Sequence, residues 1–223
     1  MKLLSTKILA DTQKELLRSS DISLMEYEAI SISYNAFEIP KDFDYYLITS
    51  QNAVRSLMVH LKTTFDPQPL LIKSAFCVGS KTASLLGRAG VHVSHFEANA
   101  RLLGEYLVEH YPKQSYLFLC GDRRREELPM QLSENNISFR EQVVYETSLN
   151  AVALETNYDA YLFFSPSAVK SFAMKNKPQK GVAYCIGHTT AEAANQLGLP
   201  IQISKSPTIE SVLDLVIENF KKR

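Results

Sequence analysis

An excess of charge of either sign is absent from this chain. Its 223 residues carry 24 Lys and Arg against 24 Asp and Glu, so no overall field recruits nucleic acid or an anionic membrane, and an anionic partner must be held locally. Long apolar runs are also missing: no stretch approaches the roughly 20 apolar residues of a membrane span. The opening run, MKLLSTKILADTQKELL, is too short for a signal core and meets Asp11 and Lys14 almost at once, which argues against a secretory leader. Cysteine is scarce. Cys77, Cys120 and Cys185 are odd in number and each sits in an apolar run, so reduced, buried thiols of a cytoplasmic protein are expected rather than a disulfide framework. No Cys or His pair has metal-site spacing, and His92 and His95 read as loop residues. Phosphate loops are absent too, since neither CVGSKTAS nor CIGHTTAE is a P-loop and no G-x-G-x-x-G occurs.

What the chain does contain is a repeat. FCVGSKTASLLGRAG (76–90) returns as YCIGHTTAEAANQLG (184–198), with Gly187 following Gly79 by 108 residues and Cys185, Thr190, Ala191 and Gly198 matching Cys77, Thr82, Ala83 and Gly90. Upstream, LITSQNAVRS (47–56) returns as LFFSPSAVKS (162–171), with Ser165 following Ser50 by 115 residues. Two echoes in the same order imply a duplicated domain. At 223 residues and 45% hydrophobic, the chain has room for two small cores.

Each echo reads as strand, tight turn, helix. DYYLITS and DAYLFFS are apolar runs ending in hydroxyl residues, and NAVRSLMVHL and SAVKSFAMK carry apolar residues at helical spacing. AFCVGSKTASLLGRAG repeats the scheme, with Ser or Thr at the helix start and Gly near its end. Strands alternating with helices at this pitch predict α/β domains, each a parallel sheet with helices on its faces. The copies differ in extent. The first continues through a helix at 100–111, the run SYLFLCG, a helix across Glu126 to Leu132 and then NISFREQVVYETS, whereas the second stops after TIESVLDLVIENF. The chain's first residues supply the missing strand, helix and strand: KLLST, TQKELLRS and DISLMEYEAIS, with DISLME preceding its echo NISFRE by 115. The expected organisation is therefore two similar domains, one discontinuous (1–29 plus 149–223) and one inserted (36–141). A two-stranded β linker, 30–35 and 142–148, is expected to join them as a hinge.

In an open parallel sheet, ligands bind beyond the carboxyl ends of the strands. The repeated sequence is concentrated there. Ser50 and Asn52, Ser80 and Thr82, Ser165 and Ser167, and Thr189 and Thr190 stand where helices begin, with unpaired backbone N–H groups and the positive end of the helix dipole. Any one of these is accounted for by ordinary capping. Four such turns together point to a ligand with several anionic groups. Two classes of protein fit: an enzyme, or a non-catalytic two-domain binding protein or sensor for an anionic small molecule. A nucleotide-using transferase is disfavoured by the missing phosphate loops.

At these residues the chain resembles the uroporphyrinogen-III synthase family of tetrapyrrole biosynthesis. TSQNAV, CVGSKTASLLGRAG, LCGDRRREELPMQL, VVYETS, FFSPSAVKSF, CIGHTTAEAANQLGLP and SPTIESVLDLV occur in the family's order and span nearly the whole chain. The resemblance implies a cytoplasmic, monomeric lyase of two α/β domains joined by a flexible two-stranded linker and closing around the linear tetrapyrrole hydroxymethylbilane. It implies cyclisation with inversion of the terminal pyrrole ring and loss of water, no metal or organic cofactor, and transient hand-over from the enzyme that forms the substrate. Neither nucleic acid nor membrane is an expected partner.

The implied chemistry suits the residues. The substrate is rich in carboxylates, which turn N–H groups can hold without a basic protein. Loss of the terminal hydroxyl leaves an electrophilic azafulvene; attack by a pyrrole gives a spiro intermediate, and fragmentation and reclosure give the inverted isomer. The open chain closes unaided without inversion, so catalysis consists largely of positioning, plus help for the departing hydroxyl. The family's important tyrosine falls on Tyr145. In the internal repeat Tyr145 stands opposite Ile30, so duplication does not explain a phenol there. A phenol with a pKa of about 10 stays protonated at neutral pH and can donate to a leaving oxygen; the competing reading is a packed hinge tyrosine. GDRRRE (121–126) is the main basic cluster, with Gly121 at a strand end and one of Arg123 to Arg125 expected to meet a carboxylate. Lys81 and His188 occupy variable turn positions and receive no catalytic role. Gln51 replaces the proline found at Pro166, leaving that turn more freedom.

Overall fold

Short runs of consecutive apolar residues, buried on both sides, form the central strands of two parallel sheets. The computed structural model describes residues 1–18, 22–63, 73–155 and 157–221. Residues 19 and 21, within the expected helix TQKELLRS and strand DISLMEYEAIS, lie outside that set. The chain divides into two compact units, Met1–Ser31 with Ser148–Arg223, and Ile32–Thr147.

The continuous unit contains β4 (Tyr45–Ile48), α2 (Gln51–Thr63), β5 (Ala75–Val78), α3 (Ser80–Arg88), β6 (Val93–Glu97), α4 (Ala100–His110), β7 (Ser115–Gly121), α5 (Glu127–Glu134) and β8 (Ser138–Leu149), which runs on past its boundary. Together with β3 (Ile30–Tyr34), these strands form a six-stranded sheet in the order β3-β8-β7-β4-β5-β6. The pairs from β8 to β6 are all parallel. Because successive side chains alternate across a strand, Tyr46, Ile48, Leu117 and Leu119 pack with Val54, Leu57 and Leu86 on one face. Leu47, Phe76, Tyr116 and Phe118 pack with Leu103, Leu107, Leu128 and Leu132 on the other.

The discontinuous unit repeats this plan. β1 (Lys2–Ser5), α1 (Asp11–Arg18) and β2 (Ser23–Glu26) come from the first segment. The second segment supplies β9 (Ala160–Phe163), α6 (Pro166–Ala173), β10 (Val182–Cys185), α7 (His188–Ala194), β11 (Ile201–Ile203) and α8 (Ile209–Lys221). Its sheet order is β11-β10-β9-β1-β2, parallel throughout. Leu4, Tyr161 and Phe163 pack with Val169 and Phe172 on one face; Leu3, Leu162 and Tyr184 pack with Leu17, Val212 and Val216 on the other. In both units the strand order reverses beside the first strand of the repeat, between β4 and β7 and between β9 and β1, which is where open sheets form a ligand crevice.

One difference from the sequence reading concerns an edge strand. His95 lies in β6 rather than a loop, with His92 just before it. Its ring stacks on Tyr106 at 3.7 Å between centroids and its Nε2 meets Glu97 Oε1 at 2.9 Å. At a sheet edge only one face is covered, so VSHFE alternates instead of forming an apolar run. The same reason hides the three-residue β11.

The duplicated serines Ser56 and Ser171 are both buried but differently satisfied. Ser56 Oγ donates to the Val144 carbonyl at 2.6 Å, fastening α2 to β8, whereas Ser171 Oγ has no hydrogen-bond partner among the described residues. Ser56→Ala should therefore cost about 1 kcal/mol, the net worth of one hydrogen bond, while Ser171→Ala should be neutral or stabilising. Equal losses from the two variants in urea melts would contradict this reading.

Candidate functional site

The crevice of the continuous unit brings together three residues that the sequence reading nominated separately. β4 ends at Ile48, and Ser50 follows as the residue before α2. Its Oγ accepts the Asn52 backbone N–H at 3.1 Å, an ordinary capping bond. The same oxygen accepts the Tyr145 hydroxyl at 3.0 Å, across 95 residues of sequence.

Tyr145 reaches Ser50 because β8 is irregular at that point. Cys120 pairs with Val143 and Gly121 with Tyr145, leaving Val144 as an extra residue. A bulge of this kind re-aims the side chain that follows it. The consecutive residues Val144 and Tyr145 consequently pack on the same core cluster. The phenol crosses directly over Gly121, where an added Cβ would lie 2.3 Å from Tyr145 Cζ and 2.7 Å from its hydroxyl oxygen. Burial pushes the phenol above its ordinary pKa, with the Ser50 hydroxyl acting in the opposite direction, so Tyr145 is a neutral donor at physiological pH. Asp122 closes the turn: its N–H donates to the Tyr145 carbonyl at 3.2 Å, and its carboxylate accepts the Thr147 N–H at 2.9 Å.

Other nominated groups have different surroundings from those expected. The residue capping α3 is Gly79, at φ 85° and ψ 138° and with no side-chain cap, rather than a hydroxyl residue. Ser80 is exposed, but Thr82 is only 4% exposed and its N–H bonds back to Gly79. Thr190 is likewise buried at 1%, its N–H bonded to Gly187. Both threonine side chains are thus largely enclosed by the fold. Among the described residues, the Ser80 and Lys81 backbone N–H groups have no acceptor in the chain. Of Arg123 to Arg125, one of which was expected to meet a ligand carboxylate, Arg124 is held by Glu126 at 2.6 Å and Glu141 at 2.7 Å. Arg123 lies 3.5 Å from Asp122. The cysteines are free and buried, and burial pushes Cys77 and Cys120 up to about 11 and Cys185 up to about 12, so none supplies a thiolate.

In the discontinuous unit, Ser165 caps α6, accepting the Ala168 N–H at 3.1 Å, with Pro166 at the first helical position and Ser167 next. Among the described residues no tyrosine hydroxyl bonds to Ser165. Thr189 is exposed at the start of α7, after Gly187, whose φ of −179° is plain extended backbone. Gly79 and Gly187 thus occupy matching positions in different conformations. Sequence reasoning missed the turn after β1, which adjoins β9 at the strand-order reversal. There Thr6 bonds the Leu162 carbonyl through both N–H and Oγ1, at 3.2 and 2.6 Å, and Ile8 is 46% exposed. The signal was available: Thr6 precedes Gly121 by the repeat offset of 115.

The sheet order, the repeated turns and the tyrosine over Gly121 coincide with a family match. The family model described as uroporphyrinogen-III synthase HemD matches residues 12–214. This chain belongs to the uroporphyrinogen-III synthase family. The porphyrin biosynthesis protein HemD of Ruminiclostridium josui is 27% identical over 249 residues, covering 97% of this chain and 49% of that protein. The uroporphyrinogen-III synthase of Saccharomyces cerevisiae is 32% identical over 117 residues, covering 47% of this chain and 42% of that protein. The chain thus spans about half or less of the length of these curated relatives. Among solved structures, uroporphyrinogen-III synthetase from Helicobacter pylori superposes with a TM-score of 0.77 at 25% identity, covering 98% of this chain and 99% of that one. A mutant uroporphyrinogen III synthase from Thermus thermophilus shares the fold over the full length of both chains, with a TM-score of 0.68 at 16% identity. Two parallel α/β units are therefore the architecture of this synthase family, and the duplicated turns lie at the strand ends of each.

Proposed function

We propose that this chain is a uroporphyrinogen-III synthase, a cyclising lyase that converts hydroxymethylbilane into uroporphyrinogen III with inversion of the terminal ring and loss of water. The observation that carries the reading is the family match over residues 12–214. The Helicobacter pylori synthetase, matched over nearly all of both chains, supports it. Substrate carboxylates are placed at the strand-end turns, Ser50–Asn52, Ser80–Thr82, Gly121, Ser165–Ser167 and Thr189–Thr190. In this reading backbone N–H groups and exposed hydroxyls do most of the holding, with Thr82 and Thr190 largely enclosed. Holding by N–H groups needs no net positive charge, in keeping with a balanced chain of 24 basic and 24 acidic residues. Departure of the hydroxyl falls to the unit containing Tyr145, which is the only one of the two to carry a phenol at that place in the repeat. Cytoplasmic location, a monomeric state and transient hand-over from the hydroxymethylbilane-forming enzyme belong to the same proposal. Among the described residues no helix is long and apolar enough to cross a membrane.

The test is an isomer assay. Purified protein is supplied with hydroxymethylbilane, the products are oxidised, and the type I and type III isomers are separated. Mainly type III is expected, including after chelator treatment. An isomer ratio equal to that of the buffer blank overturns the assignment.

A further inference from the structure

We infer that Ser50 is the group that touches the departing hydroxyl, and that Tyr145 is a positioning residue acting through it. This rests on the synthase reading and assigns the donor within it.

The argument begins with the valences of one oxygen. Ser50 Oγ accepts the fixed backbone N–H of Asn52 at 3.1 Å and the hydroxyl of Tyr145 at 3.0 Å. A hydroxyl has two acceptor lone pairs and one proton. With both lone pairs engaged, the Ser50 proton is left to donate outward from the turn. The direction of the Tyr145–Ser50 bond follows from acidity, since a phenol is a better donor than an alcohol. The Tyr145 ring has little freedom to turn elsewhere. It is packed on the core, lies over Gly121, and owes its aim to the extra residue Val144. Bonds in a chain polarise one another, so Tyr145 makes Ser50 a stronger donor than an isolated serine.

The duplicated unit supplies the internal comparison. Ser165 has the same capping role, with Ala168 N–H at 3.1 Å as its single donor among the described residues, and Ile30 stands where Tyr145 does in the repeat. The relay is therefore an addition to one copy of a shared turn. Neither hydroxyl ionises in the step. The C–O bond of the substrate's hydroxymethyl group breaks, with its electron pair leaving on the oxygen that Ser50 holds. The adjacent pyrrole gives up its N–H proton to solvent and forms the azafulvene double bond. A solvent proton completes the departing oxygen, so the net loss is one water.

The experiment is a double-mutant cycle with wild type, Ser50→Ala, Tyr145→Phe and the combined variant, alongside Ser50→Thr, all assayed on hydroxymethylbilane for kcat, KM, isomer composition and thermal melting. Ser50→Ala is expected to lower kcat by about 10²-fold, the low end for losing one hydrogen-bond donor to developing negative charge, because this hydroxyl leaves readily unaided. Tyr145→Phe should lower kcat less, with KM unchanged. The combined variant should match Ser50→Ala, because residues acting in series do not add. Ser50→Thr, which keeps a hydroxyl on the turn, should recover most of the rate, a recovery that repair of packing alone does not predict for kcat at constant KM. Single losses that multiply in the combined variant, or a Ser50→Ala enzyme with wild-type kcat, overturn the relay while leaving the synthase reading intact. Wild-type protein that yields the blank's isomer ratio overturns both.

Discussion

Gly121→Ala is expected to remove the Tyr145 ring from its seat, and with it the activity that depends on the phenol. The added Cβ would stand 2.3 Å from Cζ and 2.6 Å from Cε2, closer than any real carbon contact, and the opposing ring is itself packed on the core. Overpacking of this kind costs about 1–3 kcal/mol, so the melting temperature should fall together with turnover. The rate should drop at least as far as in Tyr145→Phe, since the ring is displaced as well as the donor lost. Combining Gly121→Ala with Tyr145→Ala separates the two effects. Removing the ring makes room for the methyl group, and the double variant should regain stability relative to Gly121→Ala alone without regaining turnover. A Gly121→Ala enzyme that turns over at the wild-type rate would show that the ring does not need its place over this glycine.

The second large effect concerns the discontinuous unit. Phe172 is fully buried and meets Phe163 edge-on at 5.6 Å and Tyr161 at 5.5 Å between centroids. Phe172→Ala leaves a cavity at the centre of that cluster and should cost about 3–5 kcal/mol. The clusters of the continuous unit share no residue with it. Denaturant unfolding of the variant should therefore show one early transition, with hydrogen exchange accelerated in β9, α6 and β10 while β4, β5 and β7 keep their protection. Uniform loss of protection across β4, β5 and β7 would show that the two cores are not energetically separate.

The α/β class and the strand-turn-helix units were legible because buried parallel strands are nearly continuous apolar runs, as in YYLI and AYLF. Edge strands were not. VSHFE and IQI are covered on one side only; His95 of the first read as loop, and the second gave no strand signal. At the site, the sequence nominated Ser50, Gly121 and Tyr145 but did not reveal that they touch. Their meeting depends on one extra residue in β8, a register effect that no local pattern announces. The enclosure of Thr82 and Thr190 was hidden for a related reason: a hydroxyl residue near a helix start looks the same in sequence whether it is exposed or buried. Gly79 and Gly187 carry the same letter in the same motif, yet one is at φ 85° and the other is extended. The pairing of Arg124 was not legible because its partner Glu141 lies 17 residues away on β8.

The place of β1 in its sheet bears on the order in which the molecule is made. β1 is bracketed by β2 and β9, so one of its neighbours follows it within about twenty residues while the other is Ala160–Phe163. A nascent chain therefore holds a β1-α1-β2 fragment with an open flank throughout the synthesis of the continuous unit, whose own strands are all complete by Leu149. Non-local parallel pairing is slow to form, and unpaired strand flanks invite association with other chains. The earlier-made segment of this unit is thus among the last parts to be locked in place. The vulnerable interval in the life of this protein ends when β9 arrives to cover it.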